Sequence, residues 1–199
     1  MTLAYRIIRS EHYEIDLVMR GLDTLADAAN RETWEPDFDL LFLILDYVES
    51  FPATFHHPRE EDYLFKALRC HTPETGPMLD QLCDDRAEGL GLVGDLRRSL
   101  ETYNVRRAAR SWFHEAAKSY ARHERQHMRW EERTILPLAL QVFSKEDWQE
   151  IDLAFERNGH PLLSDRRRVE FDKLFALILR RIPGAVVFGP KVSNRKKAA

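Results

Sequence analysis

Ten residues on one stretch of this chain are echoed, in type and spacing, on another. His56-His57-Pro58-Arg59-Glu60-Glu61-Asp62-Tyr63-Leu64-Phe65 and His127-Met128-Arg129-Trp130-Glu131-Glu132-Arg133-Thr134-Ile135-Leu136 both read H-x-x-x-E-E-x-x-L/I-F/L, 71 positions apart. A histidine and a glutamate four apart lie one above the other on a helix, about 6 Å from turn to turn. Each pair therefore offers one nitrogen and one oxygen to a common partner. A fold that serves both pairs must turn the two helices inward toward each other, which is how helix bundles build carboxylate-bridged metal sites.

The rest of the chain supplies helices for such a bundle. Ile8, His12, Ile15, Met19, Leu22 and Ala26 recur at steps of four and three, an amphipathic stripe with a histidine in it. A second helix is expected from about 37 to 68, with Leu41, Ile44, Val48 and Phe55 on one face. Pro52 and Pro58 must bend or bulge it, since each lacks an amide donor and crowds the preceding turn. A third, from about 77 to 103, carries Leu79, Leu82, Arg86, Leu90, Val93 and Leu100. The fourth, from about 105 to 142, puts Phe113, Ala116, Tyr120, His127, Glu131, Ile135 and Leu138 in a narrow sector, with Pro137 distorting its end. Ser144 and Asp147 form a capping box for a short helix that stops at Asn158-Gly159, and a last helix runs from about 165 to 182. With no run of alternating strands, the fold class is all-α: an antiparallel up-down four-helix bundle over 1–143, two short C-terminal helices over 144–183 packing on it, and a flexible basic tail over 184–199.

Composition narrows the function classes. Four basic and no acidic side chains lie in 191–199, so the remainder is more acidic than the net charge of −3 suggests, which argues against a nucleic-acid groove across it. The longest apolar run, 40–45, is six residues, too short for a membrane span or a signal peptide. Cys70 and Cys83 cannot make a disulfide framework and match no thiolate metal motif, so a reducing, cytoplasmic setting is expected.

The echo extends to the other two helices. Ile8-Arg9-Ser10-Glu11-His12 aligns with Leu82-Cys83-Asp84-Asp85-Arg86 at an offset of 74, so Arg86 stands where the symmetry expects a second histidine of the His12 kind. A guanidinium has only donors and cannot ligate a metal. The candidate site is thus His12, His56, Glu60, His127 and Glu131 with one ligand missing. His57, His123 and Glu124 are candidates to substitute, Asp85 projects off the stripe, and Glu61 and Glu132 are expected to be solvated. Inward Glu60 and Glu131 need a cation, either a metal or Arg86 itself, which could pair with them in a metal-free structural or interaction module.

These motifs resemble the hemerythrin-like HHE cation-binding domains, over roughly residues 3 to 140. The resemblance implies a non-haem iron centre, with His12, His56 and His127 as terminal ligands and Glu60 and Glu131 as bridges. It further implies one or two irons and a diatomic ligand, O2 or NO, or peroxide. The protein partner is unspecified, and a homodimer is compatible. No additional nucleophile or Gly-rich cofactor loop accompanies the site, which favours binding or sensing over turnover.

Overall fold

The computed structural model describes residues 2–31, 33–156 and 164–182. Six helical rods, and no strand among the described residues, follow in order. They are α1 (Leu3–Ala29), α2 (38–71), α3 (Gly76–Val105), α4 (110–142), α5 (Lys145–Glu156) and α6 (Ser164–Arg181). Helix α4 starts later than its periodicity suggests, because a short 3-10 turn at Arg107–Ala109 precedes it.

Helices α1 to α4 form a ring in which each packs on two neighbours. The Thr2 hydroxyl accepts from the Tyr5 amide at the start of α1, and Asp37 accepts from the Leu40 amide at the start of α2. Two further orphan amides of α1, at Leu3 and Ala4, donate to the Asp152 carboxylate of α5 at 3.0 and 2.7 Å, so the first added helix caps the first bundle helix. Ser144 and Asp147 make the expected reciprocal cap at the start of α5. Helix α6 lies over α1 and α2, with Phe171 edge-on to Phe51, Phe175 near Tyr47, and Arg181 bonded to Asp37. The Asn158-Gly159 stop, His160 and the basic tail lie outside the described residues.

The prolines act as anticipated, and the bulges they cause are π-helical. Pro52–His56 and Glu60–Phe65 interrupt α2, and Glu131–Ile135 interrupts α4 just before Pro137. Pro52 has no amide to give the Val48 carbonyl, which instead accepts from the Tyr120 hydroxyl at 3.3 Å. Glu60 and Glu131, equivalent in the sequence echo, each open a π segment.

The apolar core falls into two clusters. One gathers around Ile15, Leu22, Ile44, Phe51, Leu100 and Phe113, the other around Ile8, Leu64, Phe65, Leu79, Ile135 and Leu136. Charged and polar side chains nearly sealed from solvent occupy the level between them. On α3 the projected stripe residues Leu79, Leu82, Arg86, Val93 and Leu100 are buried; Leu90 departs from it at 57% exposed, and its neighbour Gly89 is buried, a Cβ there reaching within 3.1 Å of His123 Nε2.

Gly21 of α1 is buried against Ile182, whose Cδ1 would lie 2.2 Å from a Cβ at position 21. In a helix interior, Gly→Ala ordinarily stabilises by about 1 kcal/mol. Here the sign is expected to reverse: Gly21→Ala lowers the thermal unfolding temperature of the wild type and raises it in an Ile182→Ala background. A rise in both backgrounds would show that Ile182 does not dock on Gly21.

Candidate metal centre

The polar level is built from all four bundle helices. His12 comes from α1, His56 and Glu60 from α2, Arg86 from α3, and Glu124, His127 and Glu131 from α4; each is at most 7% exposed. The His–Glu pairs lie on the buried faces of their helices, beside Phe55 and Leu64 on α2 and Met128 and Ile135 on α4.

Four of the five sequence-predicted ligands converge. One nitrogen each from His12 and His56 and one oxygen each from Glu60 and Glu131 lie within 4.8 Å of one another. His12 Nε2 is 3.1 Å from Glu131 Oε2 and 3.9 Å from Glu60 Oε1, and His56 Nε2 is 3.6 Å from Glu60 Oε2. His12 Nε2, His56 Nε2 and Glu131 Oε2 are buried without a hydrogen-bond partner. Buried polar atoms left unmatched cost on the order of 1–3 kcal/mol each; a metal cation among them, or a proton shared between His12 Nε2 and Glu131 Oε2, removes that cost. The donor set fits a divalent metal that accepts imidazole and carboxylate.

The fifth candidate, His127, is placed differently. Its Nε2 faces Arg86 Nε at 3.3 Å and Glu131 Oε1 at 2.9 Å, on the other side of the carboxylates. There the guanidinium takes the position the echo assigns to a ligand. Arg86 Nη2 donates to Glu60 Oε2 at 2.5 Å and Glu131 Oε1 at 2.7 Å, Nη1 donates to Glu61 Oε1 at 2.7 Å and the His57 carbonyl at 3.3 Å, and the Phe65 ring lies 4.7 Å from its Cζ. Both inward carboxylates thus meet Arg86, and the Glu131 oxygen that Arg86 leaves free turns toward His12.

Around this layer lies another of carboxylates that sequence projection did not place. His56 Nδ1 is 2.8 Å from Glu11, His127 Nδ1 is 2.6 Å from Asp85, and His12 Nδ1 is 3.0 Å from Glu132. Such contacts fix the tautomer and aim Nε2 at the centre. Glu132, expected to be solvated, holds His12, and Glu61, also expected to be solvated, holds Arg86. Asp85, correctly off the stripe, serves His127 from outside. The pattern is itself twofold: Glu11 with His56 matches Asp85 with His127, and Glu132 with His12 matches Glu61 with Arg86. The signal was in the echo, which aligns Glu11 with Asp85 and Glu61 with Glu132. Glu11 in turn accepts from Arg59, and from Arg168 of α6 at 3.1 Å.

The candidate substitutes sit apart from the four convergent atoms. His123 Nε2 contacts the Asp85 carbonyl at 3.1 Å, while His57 Nε2 and Glu124 Oε1 are buried without partners. Burial raises the pKa of the Glu124 carboxyl, and burial and then the charge of Arg86 hold His57 well below the usual imidazole range.

In the metal-free protein, burial alone would lower both ligand-type imidazoles. Against it, Glu131 and Glu132 push His12 up to about 9, and the Glu131 charge and the Asp85 contact push His127 up to about 10. Burial would raise Glu11, but the His56 contact and the Arg59 charge bring it to about 2. Raised histidines contribute stability that is complete below their unfolded value of 6.5 and is lost as pH climbs through about 9 and 10. A depressed Glu11 contributes above 4.5 and loses it as pH falls through about 2. Metal-stripped protein should therefore show a urea midpoint that declines from about pH 6.5 toward pH 10; a level midpoint across that range would contradict the His12 and His127 assignments. At pH 7, Arg86→Met in metal-stripped protein should cost about 3–5 kcal/mol in the same assay, because it strands two buried carboxylates. A loss below 1 kcal/mol would mean that Glu60 and Glu131 do not depend on Arg86.

A family model described as the hemerythrin HHE cation binding domain matches residues 3–139. No curated protein and no solved structure matches the chain.

Proposed function

Because the chain belongs to the hemerythrin HHE cation-binding domain family, we propose that it binds one metal ion between His12, His56, Glu60 and Glu131, with Arg86 standing in for a second. The observation that carries this reading is the convergence of His12 Nε2, His56 Nε2 and Glu131 Oε2, three buried atoms without hydrogen-bond partners, on the face of the carboxylates that Arg86 leaves free. Iron is the metal favoured, since two imidazoles and two carboxylates suit Fe(II). When bound, it supplies a coordination position for O2, NO or peroxide.

The chain's own residues do the rest. Glu132 and Glu11 hold His12 and His56 in the tautomer that presents Nε2. Arg86 pairs with both bridging-type carboxylates and fixes them. A cleft of about 270 Å³, bordered by Arg9, Tyr13, Met128 and Glu132, reaches His12 and is the entry for a small ligand. The bundle, 1–143, is the metal-binding unit, and the helices of 144–183 brace it. With the thiols of Cys70 and Cys83 free, and no helix among the described residues long and apolar enough to cross a membrane, a cytoplasmic binding or sensing role is the consistent setting.

A second reading has its own observation in its favour. Arg86 already neutralises Glu60 and Glu131, as a metal-free structural module requires. Anaerobic Fe(II) titration with metal analysis separates the two. One equivalent per chain is expected, lost in His56→Ala, and Arg86→His should raise it toward two. No binding, or binding indifferent to His56→Ala, would leave the metal-free reading.

A further inference from the structure

The twofold echo also pairs acids outside the centre. At the offset of 74 that aligns Glu11 with Asp85, Glu14 aligns with Glu88, so α1 and α3 each carry two carboxylates at i and i+3, one turn apart. On α1 that pair holds a cation: Arg168 of α6 donates to Glu11 at 3.1 Å and to the two oxygens of Glu14 at 2.9 and 3.0 Å. On α3 no lysine or arginine meets either acid among the described residues, and the group beside them is His123 of α4. One ring nitrogen of His123 and one oxygen each from Asp85 and Glu88 lie within 4.8 Å of one another.

We propose that Asp85, Glu88 and His123 bind a divalent transition-metal ion of the Zn(II) class, at a site between α3 and α4 separate from the buried centre.

The α1 pair demonstrates that this arrangement of carboxylates collects a positive charge, and there the protein supplies it as a guanidinium. The α3 pair is open to an ion from solution, since Glu88 is exposed and Asp85 and His123 are half-buried. The imidazole selects the kind of ion. It brings a lone pair that an ammonium or a guanidinium cannot use and a transition metal can, whereas carboxylates alone would suit Mg(II) or Ca(II). His123 Nε2 stands 3.7 Å from Asp85 Oδ2. Two ligand atoms on one tetrahedral zinc are about 3.4 Å apart, so these two need little movement to share an ion, which would replace the contact of Nε2 with the Asp85 carbonyl at 3.1 Å. Gly89 makes the approach possible, because a Cβ there would lie 3.1 Å from His123 Nε2. Asp85 also faces His127 Nδ1 at 2.6 Å, and a carboxylate that ligates a metal is commonly hydrogen-bonded in this way. None of His12, His56, Glu60 and Glu131 takes part, so the inference is independent of the central metal. Fe(II) is held more loosely than Zn(II) by a given donor set, so this open site adds nothing to the single Fe(II) equivalent of the centre.

The test is calorimetric titration of Zn(II) into the untagged full chain carrying His12→Ala and His56→Ala, which silences the centre. One equivalent should still bind. Removing a group that merely orients a ligand costs about 10–100-fold in metal affinity, so Glu88→Ala and His123→Ala, each added to that chain, should weaken binding by about tenfold or more. Mg(II) at the same concentration should not compete. Circular dichroism confirms that each variant is folded. Should the silenced chain fail to fold, the wild type is compared with Glu88→Ala, a substitution at an exposed position, and the wild type should take one more equivalent of Zn(II). No Zn(II) bound by the silenced chain, binding indifferent to Glu88→Ala or to His123→Ala, equal competition by Mg(II), or the same stoichiometry in the wild type and Glu88→Ala would each overturn the proposal.

Discussion

A guanidinium buried at the centre of a helix bundle is tolerable only if its charge is met, and Arg86 directs Nη1 and Nη2 to Glu60, Glu61, Glu131 and the His57 carbonyl. Its charge faces both Glu60 and Glu131 between the two apolar clusters, and with His127 it holds the Glu131 carboxyl well below the usual carboxylate range. Because Arg86 and His127 meet Glu131 Oε1 from one side, Oε2 is committed to the other, facing His12. Planarity matters here: Nη2 reaches two carboxylates at once while Nη1 turns outward to Glu61. A lysine ammonium, a single point of charge, would not hold both sets in register.

The carboxylates outside this layer convert a bundle into a positioned site. Three imidazoles each have Nδ1 against an acid from a different helix, so the rings cannot turn without breaking contacts between helices. Glu11 carries this furthest. It faces His56, accepts from Arg59, and accepts from Arg168 on the last helix, which also contacts Glu14. Helix α6 is therefore tied by hydrogen bonds to an imidazole of the centre as well as by Phe171 and Ile182 to the core. Asp152, capping α1 nine residues before His12, links α5 to the same helix.

Much of this was legible in the sequence, and the parts that were not share a cause. The doubled H-x-x-x-E-E unit and the stripe through His12 gave the bundle, the facing pairs and the anomaly at Arg86. Pro52, Pro58 and Pro137 marked where the helices would be distorted. Helical projection at a constant 100° then lost accuracy wherever a π turn added to the winding, around His57 and after Glu131. It also mislaid Leu90, which turns outward on an otherwise correctly projected stripe where Gly89 lets α3 approach His123 of α4. Projection ranks side chains by the direction of Cβ, whereas Glu61, Glu132 and Asp85 reach their partners by side-chain length from the edge of the stripe.

An arginine where the internal echo places a histidine sets the charge balance of the centre as well as its ligand count. A divalent ion about 4 Å from a guanidinium is repelled by roughly 8 kcal/mol at an effective dielectric of 20. That is a large share even of the roughly 10–16 kcal/mol by which a structural zinc-finger site holds its ion. A second ion on the His127 side would bear this penalty in full, and would also have to take Glu131 Oε1 and His127 Nε2 from Arg86. On the His12 side the two carboxylates stand between the metal position and the guanidinium and offset the repulsion. On the one-metal reading proposed above, Arg86 fixes the carboxylates, supplies one fixed positive charge on the His127 side, and leaves His12 and His56 Nε2 on the side where the ion would sit.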